Sequence, residues 1–141
     1  VVSAPILKRS KLEILSTGYI LVDGGKPTTA SYISNTAPVP NDKPEIAVAT
    51  AMAGEMLGLK LTYLDSGSGA QIPVSESIIQ AVKKHTDTPL IVGGGINSLQ
   101  KASKALASGA DIIVVGNAIE ENPNFLFEVA SLVNSYNHSL A

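Results

Sequence analysis

Asp65 is the residue of this chain best placed to do chemistry. It closes the alternating run Leu61-Thr62-Tyr63-Leu64-Asp65 and opens the loop Ser66-Gly67-Ser68-Gly69. A carboxylate at the carboxyl end of a parallel strand can accept hydrogen bonds from substrate hydroxyls, or take a proton from one, while the hydroxyls and N–H groups of its loop hold an anion. Asp also commonly caps its own loop, which is the competing reading. Two glycine turns stand beside it in the sequence: Gly93-Gly94-Gly95 after Leu90-Ile91-Val92, and Gly116-Asn117 after Ile112 to Val115. Three glycines remove every side chain where a strand ends, so a ligand can approach backbone N–H groups that a β-carbon would block. Ser98, or Asn97 one residue earlier, then caps a helix carrying Leu99, Ala102 and Leu106 on one face and stopping at Gly109. Unpaired donors and a partial positive charge at a helix start suit a phosphate, so strand-GGG-helix followed by strand-Gly-Asn reads as a phosphate cradle. Glycines after parallel strands also serve tight turns and close helix packing alone.

Other chemistries find little support. His85 and His138 lie near predicted helix C-termini, where the dipole favours an exposed imidazole. No His and carboxylate group shows metal-ligand spacing, no Ser sits in a G-x-S-x-G elbow, and Glu120 and Glu121 read as a solvated face. A net charge of −2 without a basic tract argues against a nucleic-acid surface. Cys is absent, which excludes disulfides and thiolate metal sites. No apolar run approaches the ~20 residues of a membrane helix. The segment VVSAPILKRS reads as no signal peptide, and the expected compartment is the cytoplasm.

The elements that must position these residues alternate. Val1 to Leu7 reads as a helix or loop, and Tyr19 to Val22 as the first strand, ended by Asp23-Gly24-Gly25. A long polar loop to Pro40 follows, with a short β-favouring patch at Tyr32-Ile33. Asp42 and Glu45 resemble a capping box for a helix with Ile46, Ala49, Ala53 and Met56 or Leu57 on its face, ending at Gly58. Leu59 to Leu64 is the second strand, with Leu61, Tyr63 and Asp65 on one face, Thr62 and Leu64 on the other, and Tyr63 buried. Ser75 caps a helix bearing Ile78, Ile79 and Val82 that ends near His85, and Pro89 introduces the third strand. After the glycine units, Pro123 starts a last helix with Leu126, Val129, Leu132, Val133 and Tyr136. Four strands each followed by a helix imply an α/β fold with a parallel sheet. It is either an open doubly wound domain or half of a (β/α)8 barrel, and glycine turns after the last three strands favour the barrel, whose phosphate sites form after its final strands.

Four segments carry a family resemblance: TGYILVDGG (17 to 25), PVPNDKPEIAVATAMAGEMLGLKLTYLDSGSGA (38 to 70), LIVGGGINS (90 to 98) and ASGADIIVVGNAIEENP (107 to 123). They resemble the geranylgeranylglyceryl phosphate synthases and their bacterial heptaprenylglyceryl phosphate synthase relatives, with the Y-L-D-S-G-S-G run, the GGGI-x-S turn and the G-N turn in the family's order. The resemblance implies a TIM-barrel prenyltransferase of ether phospholipid biosynthesis. Such an enzyme joins the 3-hydroxyl of sn-glycerol 1-phosphate to a polyprenyl diphosphate, geranylgeranyl at the family level, and releases diphosphate. By motif, Tyr63, Leu64, Asp65, Ser66, Gly67, Ser68, Gly69, Gly94, Gly95, Gly116 and Asn117 surround the glycerol phosphate. Asp65 is the catalytic candidate, as general base or as hydrogen-bond orienter, and stands where the family more usually carries Glu.

The resemblance also implies that residues 1–141 are the C-terminal half, strands 5 to 8, of a single barrel domain. The family's magnesium ligands and a substrate-binding Lys belong to the first strands, which have no counterpart here. These residues alone are therefore expected to be inactive, with an uncovered apolar face that promotes association, and the family implies a homo-oligomer. A lipid substrate implies contact with membrane surfaces. The alternatives are another phosphate-binding barrel isomerase or synthase, against which the Y-L-D-S-G-S-G run speaks, and a non-catalytic half-barrel that binds phosphate or a partner chain. The cradle reading requires Ser68, Gly94 and Gly116 to face one hollow.

Overall fold

Four parallel strands lie side by side in chain order: β1 Thr17–Leu21, β2 Leu61–Asp65, β3 Leu90–Gly93 and β4 Ile112–Val114. The computed structural model describes residues 3–140. Helices carry each connection: α2 Thr29–Ser34 and α3 Pro44–Met56 after β1, α4 Glu76–His85 after β2, and α5 Leu99–Ala107 after β3. Helices α6 Asn117–Glu121 and α7 Phe125–Leu140 follow β4, and α1 Ala4–Arg9 precedes β1. Val1 and Val2 of the expected first segment lie outside the described residues. The strand order never reverses, whereas a doubly wound sheet needs a switch point.

Register explains how the sheet divides its faces. Ile20, Leu64, Val92 and Ile113 form one row, and the first three are buried with Ile78, Ile79 and Val82 of α4, Ala47 and Ala51 of α3 and Ala102 of α5. Each fully buried Leu, Ile or Val of this cluster contributes about 1.5–3 kcal/mol. The neighbouring rows, Tyr19–Tyr63–Ile91–Ile112 and Leu21–Asp65–Gly93–Val114, occupy the opposite face. That face is unevenly covered: Leu21, Asp65 and Gly93 are buried, whereas Tyr19 is 50%, Ile112 46% and Val114 40% exposed. Tyr63 is half-buried rather than buried, in a row whose Tyr19 and Ile112 are exposed.

Several expectations change. The Tyr32-Ile33 patch is not extended but lies in α2, closed by a reciprocal box in which Thr28 Oγ1 accepts from Ser31 N–H and Ser31 Oγ accepts from Thr28 N–H. Asp42 caps nothing: α3 starts at Pro44, whose ring keeps the preceding residue out of helical conformation, and Lys43 is the N-cap. The same helix rotates its small side chains inward. Ala47 and Ala51 meet the sheet while Ile46, Ala49, Ala53, Met56 and Leu57 are exposed, since alanines let the helix lie close on the strands. β2 runs Leu61–Asp65 rather than 59 to 64. Ser75 and Ser98 are the N-caps of α4 and α5, which settles the choice between Asn97 and Ser98. Leu99 and Leu126 are surface residues; Ala105 and Phe125 take the buried positions of their helices.

Candidate functional site

The carboxyl ends of the strands converge on a cavity of about 510 Å³. Its wall takes Tyr63 and Asp65 from β2, Ser68 and Gly69 from the following loop, Gly94 and Gly95 after β3, and Gly116 and Asn117 after β4. All three corners of the expected cradle therefore face one hollow. Ser68 Oγ donates to Asn117 Oδ1 at 3.1 Å, joining the second loop to the fourth across the opening. Leu64, Ser66 and Gly67 lie outside this lining. Leu64 alternates onto the helix side and is wholly buried there, while Ser66 and Gly67 are buried behind the rim.

Asp65 is 9% exposed and held from two directions. Its Oδ1 accepts the Gly67 N–H at 2.7 Å, so it does cap its own loop. Its Oδ2 accepts a hydrogen bond from the Tyr19 hydroxyl, which comes from the adjacent strand. A carboxylate oxygen has two lone pairs, so each still has one for a substrate hydroxyl. The Tyr19 and Tyr63 rings meet edge to face, centroids 5.2 Å apart and planes at 87°, which fixes the aromatic wall beside the carboxylate. Partial burial, then the hydrogen bond and charge of Asp65, then Tyr63 push the Tyr19 phenol far above its ordinary value. Tyr63 shifts upward for the first and second of these physical causes, burial and the Asp65 charge. Both shifts favour the neutral phenol, and Tyr19 uses its hydroxyl as the donor to Asp65.

The glycines serve a purpose that ligand approach alone does not describe. A β-carbon on Gly93 would come within 2.7 Å of the Tyr63 hydroxyl and 2.9 Å of Val114 Cβ, so this residue makes room for the tyrosine. Gly94 has φ +77, and a β-carbon there would lie 2.6 Å from Gly67 N and 2.7 Å from Gly67 O. Strand packing demands the first and loop-on-loop packing the second, and the cavity is lined by Gly94 and Gly95. Helix α5 begins with Ser98 Oγ accepting from Lys101 N–H, and the Lys101 ammonium returns to Gly95 O at 3.2 Å and Asn97 Oδ1 at 2.9 Å, bracing the glycine turn.

Sequence reasoning missed Tyr19, Lys26 and Glu121. Tyr19 carries no local signal; only its register opposite Tyr63 brings it to Asp65. Glu121, expected on a solvated face, lines the cavity because α6 turns the chain back over the rim. Lys26 enters from the loop after β1. His85 and His138 are exposed, as expected. Among the described residues no group of three or more His, Asp or Glu could hold a metal ion, and no helix is long and apolar enough to cross a membrane.

Comparison with known proteins gives a consistent picture. The PcrB family model matches residues 4–133. A geranylgeranylglyceryl phosphate synthase of Spirosoma linguale is 57% identical over 140 residues, covering 99% of this chain and 56% of that protein. One from Pyrococcus furiosus is 48% identical over 114 residues, 81% of this chain and 45% of its own length. A crystal structure of (S)-3-O-geranylgeranylglyceryl phosphate synthase from Thermoplasma acidophilum in complex with sn-glycerol-1-phosphate superposes with a TM-score of 0.85 at 31% identity, covering 96% of this chain and 54% of that one. The chain thus spans about half the length of the relatives it matches.

Proposed function

The chain belongs to the PcrB family, and we propose on that footing that its cavity holds sn-glycerol 1-phosphate for prenyl transfer from a polyprenyl diphosphate. One observation carries the reading: Asp65, Ser68, Gly94, Gly95, Gly116 and Asn117, from the carboxyl ends of three successive strands and the turns that follow them, line a single cavity. In this role the phosphate lies against the Ser68, Gly94–Gly95 and Gly116–Asn117 rim, where backbone N–H groups and small side chains suit an anion. The glycerol end reaches back to Asp65. A remaining lone pair of its carboxylate orients the 3-hydroxyl toward C1 of the prenyl diphosphate. As the new O–C1 bond forms, the C1–O bond to diphosphate breaks, and the proton of the now positive hydroxyl oxygen passes to Asp65. Tyr19 and the Gly67 N–H keep the carboxylate from rotating out of line.

Residues 1–141 correspond in this reading to strands 5 to 8 of one eight-stranded barrel domain. The coverage of 54–56% of the Spirosoma and Thermoplasma chains and the unevenly covered sheet face support it. The remaining barrel wall then closes over Tyr19, Tyr63 and Ile112. The described residues hold no group of three or more His, Asp or Glu that fits a magnesium ion, and in this reading its ligands belong to the first strands of the barrel. The proposal extends to a cytoplasmic homo-oligomer that meets membrane surfaces through its lipid substrate.

The test is a titration of sn-glycerol 1-phosphate into the ¹⁵N-labelled chain, with glycerol as the control. Amide shifts concentrated at Ser68, Gly69, Gly94, Gly95 and Asn117, saturable with the phosphate ester and absent with glycerol, are expected. Shifts scattered over the surface, or equal responses to both ligands, would end this reading.

A further inference from the structure

The cavity offers an anion two carboxylates, Asp65 and Glu121, and needs something to offset them. A phosphate monoester carries about −1.5 to −2 charge at neutral pH, and backbone N–H groups oppose it only with partial charges. Lys26 is the one cationic side chain of the cavity wall among the described residues. It is exposed and belongs to neither ion pair found there, which join Lys83 to Asp111 and Lys104 to Glu76. A methyl group built on Gly69 would lie 3.4 Å from its Nζ, so the ammonium stands over the loop that follows Asp65. Lys101, the nearest other lysine in sequence to the rim, is committed to Gly95 and Asn97.

The backbone around Lys26 is fastened on both sides. Before it, Gly24 O accepts the N–H groups of Gln71 at 3.0 Å and Ile72 at 3.1 Å, and Gly25 N–H donates to Asp23 Oδ1 at 2.9 Å. After it, Thr28 packs so closely on Gly67 that a β-carbon at Gly67 would come within 2.3 Å of the Thr28 methyl. The segment between is short, and its one long side chain lines the cavity. We propose that Lys26 is the counter-ion for the phosphate group of the bound substrate and sets the site's preference for a phosphorylated over a free alcohol. The proposal rests on the reading of the cavity as a phosphorylated-alcohol site. It predicts a point-charge role, since a lysine ammonium on a flexible stem neutralises without imposing bidentate geometry.

Calorimetric titrations of the wild-type chain, Lys26→Gln and Lys26→Arg with sn-glycerol 1-phosphate, at low and high ionic strength, test it. Loss of one close unit charge should weaken Lys26→Gln about five- to tenfold at low salt and flatten its salt dependence. Lys26→Arg should bind within about twofold of wild type, because the charge is retained. Lys26→Gln binding with wild-type affinity and wild-type salt slope would overturn the role of Lys26 while leaving the cradle standing. Equal weakening of both variants would also overturn it, by showing that shape rather than charge matters. If the wild-type chain binds no phosphate ester at all, the reading of the cavity falls, and Lys26 with it.

Discussion

Replacing Asp65 by Ala should loosen the loop that shapes the cavity before any chemistry is considered. The substitution deprives the buried Gly67 N–H of its side-chain acceptor, at 2.7 Å, and the Tyr19 hydroxyl of its partner. An unpaired buried N–H costs about 1–3 kcal/mol, and the half-exposed Tyr19 hydroxyl, which can turn to water, about 0.5–1 kcal/mol. Relief of the carboxylate's own burial offsets part of this, leaving a net loss of about 2 kcal/mol. With a urea m-value of about 2 kcal/mol/M for a chain of this size, the unfolding midpoint should fall by about 1 M. Asp65→Asn keeps an acceptor for Gly67, and its amide can donate to the Tyr19 oxygen, so its midpoint should fall by less than about 0.5 M. In the proposed reaction it would nevertheless lose the proton acceptor, which separates the structural role from the chemical one. Urea unfolding followed by circular dichroism reads the first. Asp65→Ala unfolding at the wild-type midpoint would refute the claim that this carboxylate pins the loop, and with it the assigned geometry of the site.

Gly94→Ala should be more damaging than most surface changes, by about 2–4 kcal/mol, because φ +77 strains an L side chain and the new methyl meets Gly67 backbone at 2.6 Å; the urea midpoint checks it. The high-pH limb tests Tyr19. Its folded phenol is held above the ordinary value near 10, so its contribution is complete below pH 10 and is lost as pH rises beyond it. Tyr19→Phe, which keeps the edge-to-face contact with Tyr63, should therefore flatten the alkaline decline in melting temperature. Asp111 tests the acid limb. Partial burial pushes its carboxyl up, but the hydrogen bond and charge of Lys83 and the Leu90 N–H outweigh this and hold it below the usual range. That stability is present above the ordinary carboxylate value near 4 and is lost as pH falls through the lowered one. With both partners about 40% exposed, Asp111→Asn should cost only about 0.5–1 kcal/mol at pH 7 and progressively less as pH falls through the lowered value, as measured by urea titration at each pH.

Strand number, strand order of appearance, the cap Ser75 and the three loops of the site were legible in the sequence, and the cap of α5 was narrowed there to Asn97 or Ser98. Each depends on local physics: β-branched runs make strands, a hydroxyl before an apolar period starts a helix, and glycine after a parallel strand makes a turn. What local pattern could not decide was which side chains share a register row. Tyr19 reaches Asp65 because β1 pairs with β2 in one register and no other, and Glu121 reaches the cavity because α6 folds over the rim. The buried face of α3 has a related cause. Its hydrophobic residues run nearly all round the helix, so the choice fell to how closely the backbone could approach the sheet, and Ala47 and Ala51 won over Ile46 and Met56. The glycine run shows the division most sharply. Its type and place were in the sequence, whereas the tyrosine hydroxyl beside Gly93 and the Gly67 backbone against Gly94 exist only once neighbouring loops are packed, since close approach is a property of two segments and not of one.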